Sequence, residues 1–178
     1  MSWKTIHAET LVADKFCTVK RNCVQLPDGA TIPDFYTVTI PDAALVVALT
    51  ADNHILLKRE YRFACGKDII ECPAGMVEDG EDPITTAKRE LLEETGYTSD
   101  QWTWLGATRE STSKLTNKMW LFMARDCKQV SDQRLDQNER VEMIKVPLKD
   151  AVEMVMENQI CANSSSHAIL KAERLISL

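Results

Sequence analysis

The first half of the chain alternates between apolar and polar residues, with the two-residue period that is typical of β-strands. This alternation predicts strands over residues 16–26 and 31–40, with turn chemistry at Pro27-Asp28-Gly29 between them. A continuous apolar run over Ala43–Thr50 predicts a buried central strand, and residues 55–61 are predicted to form its hairpin partner.

The second half combines strands with helices. One helix is predicted to begin at Pro83, because Asp82 is a good N-cap and proline suits the first helical position. Gly96 is expected to end this helix, and apolar residues at helical spacing form its buried stripe: Ile84, Ala87 and Leu91. The remaining predicted elements are strands over 68–72, 102–110, 119–125 and 141–146, a helix over 148–158, and a last helix capped by Ser164–Ser166 that ends near Ile176.

The order of these elements is strands, one helix, more strands and then helices. This order predicts an α/β fold in which a mixed central sheet carries helices on its faces. Residues 1–42 are expected to form a β-rich N-terminal extension that adds a further sheet, and residues 43–178 the main domain.

The charge balance excludes some partners. The chain has 178 residues, with 21 basic and 27 acidic side chains and a net charge of −6, so it lacks the basic surface that nucleic-acid binding requires. No apolar run approaches the roughly 18 residues of a membrane span, and the N-terminus lacks the layout of a secretory signal. We therefore expect a cytoplasmic protein that binds neither nucleic acids nor membranes.

Acidic residues are concentrated in one segment. Residues 75–97 contain seven acids and two bases, a net charge of −5. Glu90 and Glu94 lie four residues apart on one face of the predicted helix, and Glu93 borders that face. A hard divalent cation such as Mg²⁺ or Mn²⁺ would relieve the repulsion between these carboxylates. The alternative is a solvated acidic helix face.

The same segment resembles the Nudix box: Gly, five residues, Glu, seven residues, then Arg-Glu-apolar-any-Glu-Glu-any-Gly-apolar. Nine residues fill its defined positions: Gly75, Glu81, Arg89, Glu90, Leu91, Glu93, Glu94, Gly96 and Tyr97. The resemblance to Nudix hydrolases implies a loop–helix–loop on an α/β/α sandwich. It also implies Mg²⁺-dependent cleavage of a diphosphate linked to another group.

The resemblance also implies roles for individual residues. Glu90 and Glu94 correspond to the main metal ligands, and the carbonyl of Ala74 to a further ligand. Glu93 would be either a ligand or a base for the attacking water. Four residues of the box are expected to be structural: Gly75, Glu81, Arg89 and Gly96. For Glu81 the two expected roles are a hydrogen bond within the loop or a contact to the metal through water.

Three features outside the box resemble the ADP-ribose pyrophosphatase branch. The first is the long β-rich N-terminus, and the second is Arg62 followed by Glu71 before Pro73-Ala74-Gly75, which implies that Arg62 and Glu71 bind substrate. The third is an acidic loop, which implies that Glu139 is a catalytic residue and a metal ligand. The alternatives are a surface arginine at position 62 and a solvated loop glutamate at position 139.

Two positions depart from that branch. Ser113 stands where the branch usually has a proline, which weakens ADP-ribose as the specific substrate. Gln137 stands where several members have a catalytic glutamate. The general base therefore stays open among Glu93, Asp136 and Glu139.

The expected activity is Mg²⁺-dependent hydrolysis of a nucleoside diphosphate sugar, with ADP-ribose as the first choice. One alternative is a pyrophosphatase that removes modified nucleoside triphosphates. Another is a Nudix-fold module that binds a nucleotide sugar without hydrolysing it. The resemblance further implies a homodimer with exchanged N-terminal strands, which fits the marginal stability of an isolated hairpin.

Overall fold

The computed structural model describes residues 2–177. The chain forms two compact units. The first contains the chain up to Asp42 together with Arg109–Lys118, and the second contains Ala43–Thr108 and the chain from Met119 onward.

The first unit is built on a three-stranded antiparallel sheet. Its strands are β1 (Lys4–Ala13), β2 (Thr18–Gln25) and β3 (Thr31–Thr39), with β2 in the middle. The sequence predicted the hairpin of β2 and β3, whose turn is closed by a hydrogen bond from the Gly29 N–H to the Leu26 carbonyl at 3.0 Å. The sequence pattern predicted no bounds for β1, the third strand of this sheet.

The second unit contains a mixed sheet, as the sequence predicted. The two central strands run parallel to each other, and their remaining neighbours are antiparallel. The strands are β4 (Ala43–Thr50), β5 (His54–Arg62), β6 (Lys67–Glu71), β7 (Ala74–Met76), β8 (Tyr97–Thr98), β9 (Gln101–Thr108), β10 (Met119–Gln129) and β11 (Val141–Pro147). Strand β4 lies between β5 and β10, so the continuous apolar run forms the centre of the sheet.

In the part of the chain that the structure describes, three α-helices pack on this sheet: α1 (Pro83–Thr95), α2 (Leu148–Met156) and α3 (Asn163–Ile176). A short 3-10 helix, Phe63–Cys65, follows β5. Helix α1 has the predicted ends, because the Asp82 carboxylate accepts a hydrogen bond from the Ile84 N–H and Gly96 adopts a φ of 75°. Within residues 2–177, no helix has both the length and the apolar composition that a membrane crossing requires.

The start of α3 differs from the prediction. The helix begins at Asn163, so Ser164 and Ser165 lie inside its first turn and are buried. The Ser165 hydroxyl accepts a hydrogen bond from the Cys72 N–H at 3.0 Å. A tertiary contact therefore uses the hydroxyl that the sequence assigned to capping.

The core divides into two layers, one on each face of the sheet. Along β4, alternate residues belong to different layers, as the two-residue period of a strand requires. Leu45 and Leu49 pack in the layer that includes residues of α2 and α3, whereas Val46 packs with Ala87 and Leu91 of α1. This arrangement confirms the predicted α/β/α sandwich.

Candidate active site

Helix α1 and strand β5 supply most of the charged side chains of the site. On β5, Leu56 packs in the α1 layer, so the two-residue period places Lys58, Glu60 and Arg62 on the same face. Helix α1 buries Glu90 and Glu94, which the sequence predicted to share a face. The site therefore has carboxylates and cations facing each other between a helix and a sheet.

Gly75 allows the backbone of β7 to approach Glu90 closely. A Cβ atom at this position would lie 1.8 Å from Oε1 of Glu90, well inside van der Waals contact. A larger residue at this position would therefore displace the carboxylate of Glu90.

Glu94 is the most deeply buried acid of the site, and its residue is only 2% exposed. One carboxylate oxygen accepts a hydrogen bond from the Ala74 N–H at 3.0 Å, and the other contacts the ammonium of Lys58. Burial raises the pKa of Glu94 to about 7, although Lys58 favours its charged form. Burial also raises the pKa of Glu90.

Arg89 joins three acids of the box. Its Nη1 donates to Glu90 at 2.7 Å and to Glu93 at 3.1 Å, and its Nη2 lies 3.4 Å from Glu81. Glu81 also accepts a hydrogen bond from the Thr86 hydroxyl at 2.7 Å. This hydrogen bond and those from Arg89 lower the pKa of Glu81. Arg89 and Glu81 thus hold the loop against the helix, which supports the structural roles predicted for them.

Arg62 and Glu71, the two predicted substrate residues, lie together. Nε of Arg62 donates to Oε1 of Glu71 at 2.8 Å, and Nη1 of Arg62 lies 3.3 Å from Glu60. The Arg62 side chain is 40% exposed, whereas Glu71 is 14% exposed. Glu71 and Glu60 therefore orient a guanidinium that still reaches solvent.

Glu139 lies in a different place from the acids of α1. Its carboxylate accepts a hydrogen bond from the Asp136 N–H at 3.0 Å. The residue lines a shallow cleft with Arg59 and Tyr61, which occupy the alternate positions of β5 from Lys58 and Glu60. Within residues 2–177, no hydrogen bond or ion pair joins Glu139 to an acid of α1.

Lys58 was missed at the sequence level. The signal was present, because Lys58 follows Leu56 at strand spacing and so belongs to a buried face. A lysine at such a position must be paired with acids, and the acidic helix was the available source. The spacing of the acids along the helix shows only their mutual repulsion, whereas their counter-ion comes from a strand.

Comparison with known protein families identifies the chain. Residues 39–163 match the family described as the NUDIX domain. The chain belongs to the Nudix family. Residues 3–38 match the nucleoside diphosphate sugar hydrolase N-terminal domain.

Similar proteins agree with this assignment. The chain is 33% identical to the ADP-ribose pyrophosphatase of Bacillus subtilis over 93% of its own length and 90% of the relative. It is 35% identical to the methanol dehydrogenase activator of Bacillus methanolicus, over 88% and 85% of the two chains. The crystal structure of an ADP compounds hydrolase superposes with a TM-score of 0.85 at 20% identity, covering 99% of this chain and 95% of that one, and shows the shared fold.

Nudix hydrolases generally use a divalent metal, and the donors at the site suit a hard cation. They are the carboxylates of Glu90 and Glu94 and the carbonyl of Ala74. Two of these donors already bind a positive charge, since Lys58 Nζ contacts Glu94 and lies 3.3 Å from the Ala74 oxygen. Among residues 2–177, no three acidic, histidine or cysteine side chains converge as a metal-binding group. Instead, the carboxylates form ion pairs with Lys58 and Arg89.

Proposed function

We propose that this Nudix protein hydrolyses the pyrophosphate bond of a nucleoside diphosphate sugar, with ADP-ribose as the first choice. The products would be a nucleoside monophosphate and a sugar phosphate. The observation that carries the proposal is the match of residues 3–38 to the N-terminal domain of nucleoside diphosphate sugar hydrolases, next to a complete Nudix box. The similarity to an ADP-ribose pyrophosphatase over 93% of the chain supports the choice of substrate.

The proposed metal ligands are Glu90, Glu94 and the carbonyl oxygen of Ala74, with Mg²⁺ as the first choice and Mn²⁺ as the second. A bound divalent cation would neutralise charge on the pyrophosphate oxygens and lower the pKa of a bound water. Arg89 forms ion pairs with Glu90 and Glu93 and so holds these two carboxylates in place.

Glu93 is the first choice for the base that takes a proton from the attacking water. Its side chain is 41% exposed, the most accessible of the three box glutamates near the end of α1, so water can reach it. Glu139 and Asp136 remain alternatives for this role, and Glu139 also as a metal ligand. Both would have to approach α1 from the loop before β11, because Glu139 lies in a separate cleft.

Arg62 is proposed to bind the substrate phosphates. Its exposed guanidinium carries a positive charge beside the acidic cluster, and Glu71 and Glu60 fix its direction. A guanidinium is well suited to this task because its planar donors match phosphate oxygens. Glu71 is assigned to the substrate site because it accepts a hydrogen bond from Arg62.

Product analysis tests the proposed activity. The protein is incubated with Mg²⁺ and ADP-ribose, a panel of other nucleoside diphosphate sugars, or nucleoside triphosphates, and the products are separated by ion-exchange chromatography. AMP and ribose 5-phosphate from ADP-ribose are expected. Preferred release of pyrophosphate from triphosphates would instead assign a pyrophosphatase that removes modified nucleotides. Binding without turnover would assign a non-catalytic module, a result that the intact box carboxylates disfavour.

The N-terminal sheet supports a second proposal, a homodimer with exchanged N-terminal strands. All ten residues of β1 are exposed, including the apolar Ile6, Leu11 and Val12. Exposed apolar strands at a sheet edge favour pairing with another chain.

The cytoplasmic location also stays a prediction.

Light scattering after size exclusion tests the dimer. Twice the chain mass of 20.1 kDa gives a dimer of about 40 kDa, the expected result. Ile6→Asp should shift the mass toward the monomer, whereas Val130→Asp, at an exposed apolar position of the second unit, should not. A wild type that is monomeric and fully active at micromolar concentration would contradict the proposal.

A further inference from the structure

Lys58 is a buried cation with four oxygen-bearing neighbours. The residue is 2% exposed. Its ammonium contacts Glu94 and lies 3.3 Å from the carbonyl oxygen of Ala74, 3.4 Å from Glu60 and 4.0 Å from Glu71. A buried lysine requires acidic partners, and Glu94, Glu60 and Glu71 supply them here.

Two of these neighbours have a second role. Glu94 and the Ala74 carbonyl are proposed ligands of the divalent cation, and both are engaged by Lys58. A divalent metal in contact with the same two oxygens would stand next to the ammonium at a distance where like charges repel strongly. Lys58 and a metal therefore compete for one position.

We infer that Lys58 competes with a divalent cation for Glu94 and the Ala74 carbonyl, so that a bound cation displaces its ammonium from these two oxygens. The inference rests on the proposed function, because it requires a metal bound at Glu94. The ammonium moves toward Glu60 and Glu71, which already lie within 4.0 Å and can neutralise it. Lys58 thus pairs with the buried Glu94 and the half-buried Glu60 and Glu71, and it weakens metal binding by occupying the position between Glu94 and the Ala74 oxygen.

Metal binding to the substrate-free protein tests this role without any measurement of turnover. Lys58→Met keeps most of the unbranched apolar side chain and removes the ammonium group. The dissociation constant for Mn²⁺, measured by electron paramagnetic resonance of the free ion, should fall by roughly tenfold, within the usual range of coupling between two ligands. The increase in melting temperature on adding Mg²⁺ should also be larger in the variant than in the wild type.

Arg59→Met is the matched control. Arg59 is the next residue on β5, points to the other face and pairs with Glu142 at 3.0 Å. This variant removes one positive charge from the same strand, so it corrects for a general change in charge. Its affinity for Mn²⁺ should stay within about twofold of the wild type, because an exposed pair is screened by solvent.

A wild-type crystal soaked in Mn²⁺ provides a second test, which does not depend on the variant folding. The anomalous difference map should show a peak between Glu94 and the Ala74 oxygen, with the Lys58 ammonium moved toward Glu60. A metal bound elsewhere while Lys58 still contacts Glu94 would overturn the inference. So would an affinity that Lys58→Met leaves unchanged or weakens. A wild type that binds no Mn²⁺ would overturn the proposed metal dependence as well. The experiment therefore distinguishes a failure of the Lys58 inference from a failure of the proposed function.

Discussion

Lys58 and Glu94 form an ion pair whose side chains are only 3% and 2% exposed. A buried charge that loses its partner costs a protein about 3–5 kcal/mol, so Lys58→Met and Glu94→Gln are both expected to fold with reduced stability. The pair also connects the two halves of the site, because Lys58 lies near Glu60 and Glu71, whereas Glu94 shares its helix face with Glu90. The acids and bases therefore act as one charged network.

Glu94→Gln tests the metal site. The substitution keeps the shape of the side chain but removes a charge and a hard anionic ligand, so we expect kcat to fall by at least ~10²-fold, as for the loss of a major electrostatic contact. Glu142→Gln, at an exposed position paired with Arg59, is the control and should retain activity. A Glu94→Gln protein within a few-fold of wild type at saturating Mg²⁺ would remove Glu94 from the proposed ligands.

Gly75→Ala tests the approach of β7 to Glu90. The added methyl group would displace the end of a flexible side chain and leave the backbone in place. We therefore expect a melting temperature close to wild type, but a loss of activity on the order of 10²-fold, the cost of a misplacement near 1 Å. Equal activity of variant and wild type would show that Glu90 has room to adjust without consequence.

Gly96→Ala and Gly66→Ala form a matched pair for stability. Both glycines adopt left-handed backbone conformations, with φ of 75° and 65°, which cost an alanine roughly 1–2 kcal/mol. Only at Gly96 would the Cβ atom also meet backbone, at 2.1 Å from the Ser131 oxygen. In denaturant unfolding, Gly96→Ala should therefore lose clearly more stability than Gly66→Ala. Equal losses of stability in the two variants would mean that the loop after β10 shifts to accommodate the added Cβ atom at little cost.

The raised pKa of Glu94 predicts how stability depends on pH without metal. The pKa is about 7 in the folded protein against an ordinary value of 4.5, so the folded state binds the proton more tightly. The resulting contribution to the free energy of unfolding is fully present below about pH 4.5 and is lost as the pH rises through 7. Denaturant unfolding in EDTA at several pH values should show a larger decrease in the wild type than in Glu94→Gln, which keeps only the smaller contribution of Glu90. A wild type that gains stability relative to Glu94→Gln over this range would contradict the shift.

Much of the fold could be predicted from local patterns. The N-cap Asp82 and the terminal Gly96 define α1 by short-range chemistry, and the apolar run of β4 has the composition of a central strand. The start of α3 was mispredicted because the Ser165 hydroxyl bonds to the backbone of Cys72, 93 residues away in sequence. Such tertiary contacts override local capping preferences.

The candidate site likewise contains residues that local spacing predicts and residues that only tertiary packing brings in. Residues of the Nudix box share one helix and its preceding loop, so their spacing alone predicts that Glu90, Glu93 and Glu94 lie together. Lys58 comes to Glu94 from 36 residues away because α1 packs on the face of the sheet that Lys58 occupies, which spacing along the chain does not reveal. Glu139 illustrates the limit for loops: the sequence places it just before β11, but the loop conformation, which spacing does not predict, leaves its carboxylate accepting a hydrogen bond from the Asp136 N–H.

The central claim is that the substrate is a nucleoside diphosphate sugar. The most direct measurement is kcat/KM of the wild type with Mg²⁺, for ADP-ribose and for UDP- and GDP-sugars against nucleoside triphosphates. At least one nucleoside diphosphate sugar, with ADP-ribose first, should exceed every triphosphate by tenfold or more, a difference of about 1.4 kcal/mol in transition-state stabilisation. A tenfold preference for triphosphates would contradict the claim, while leaving the membership of the Nudix family intact.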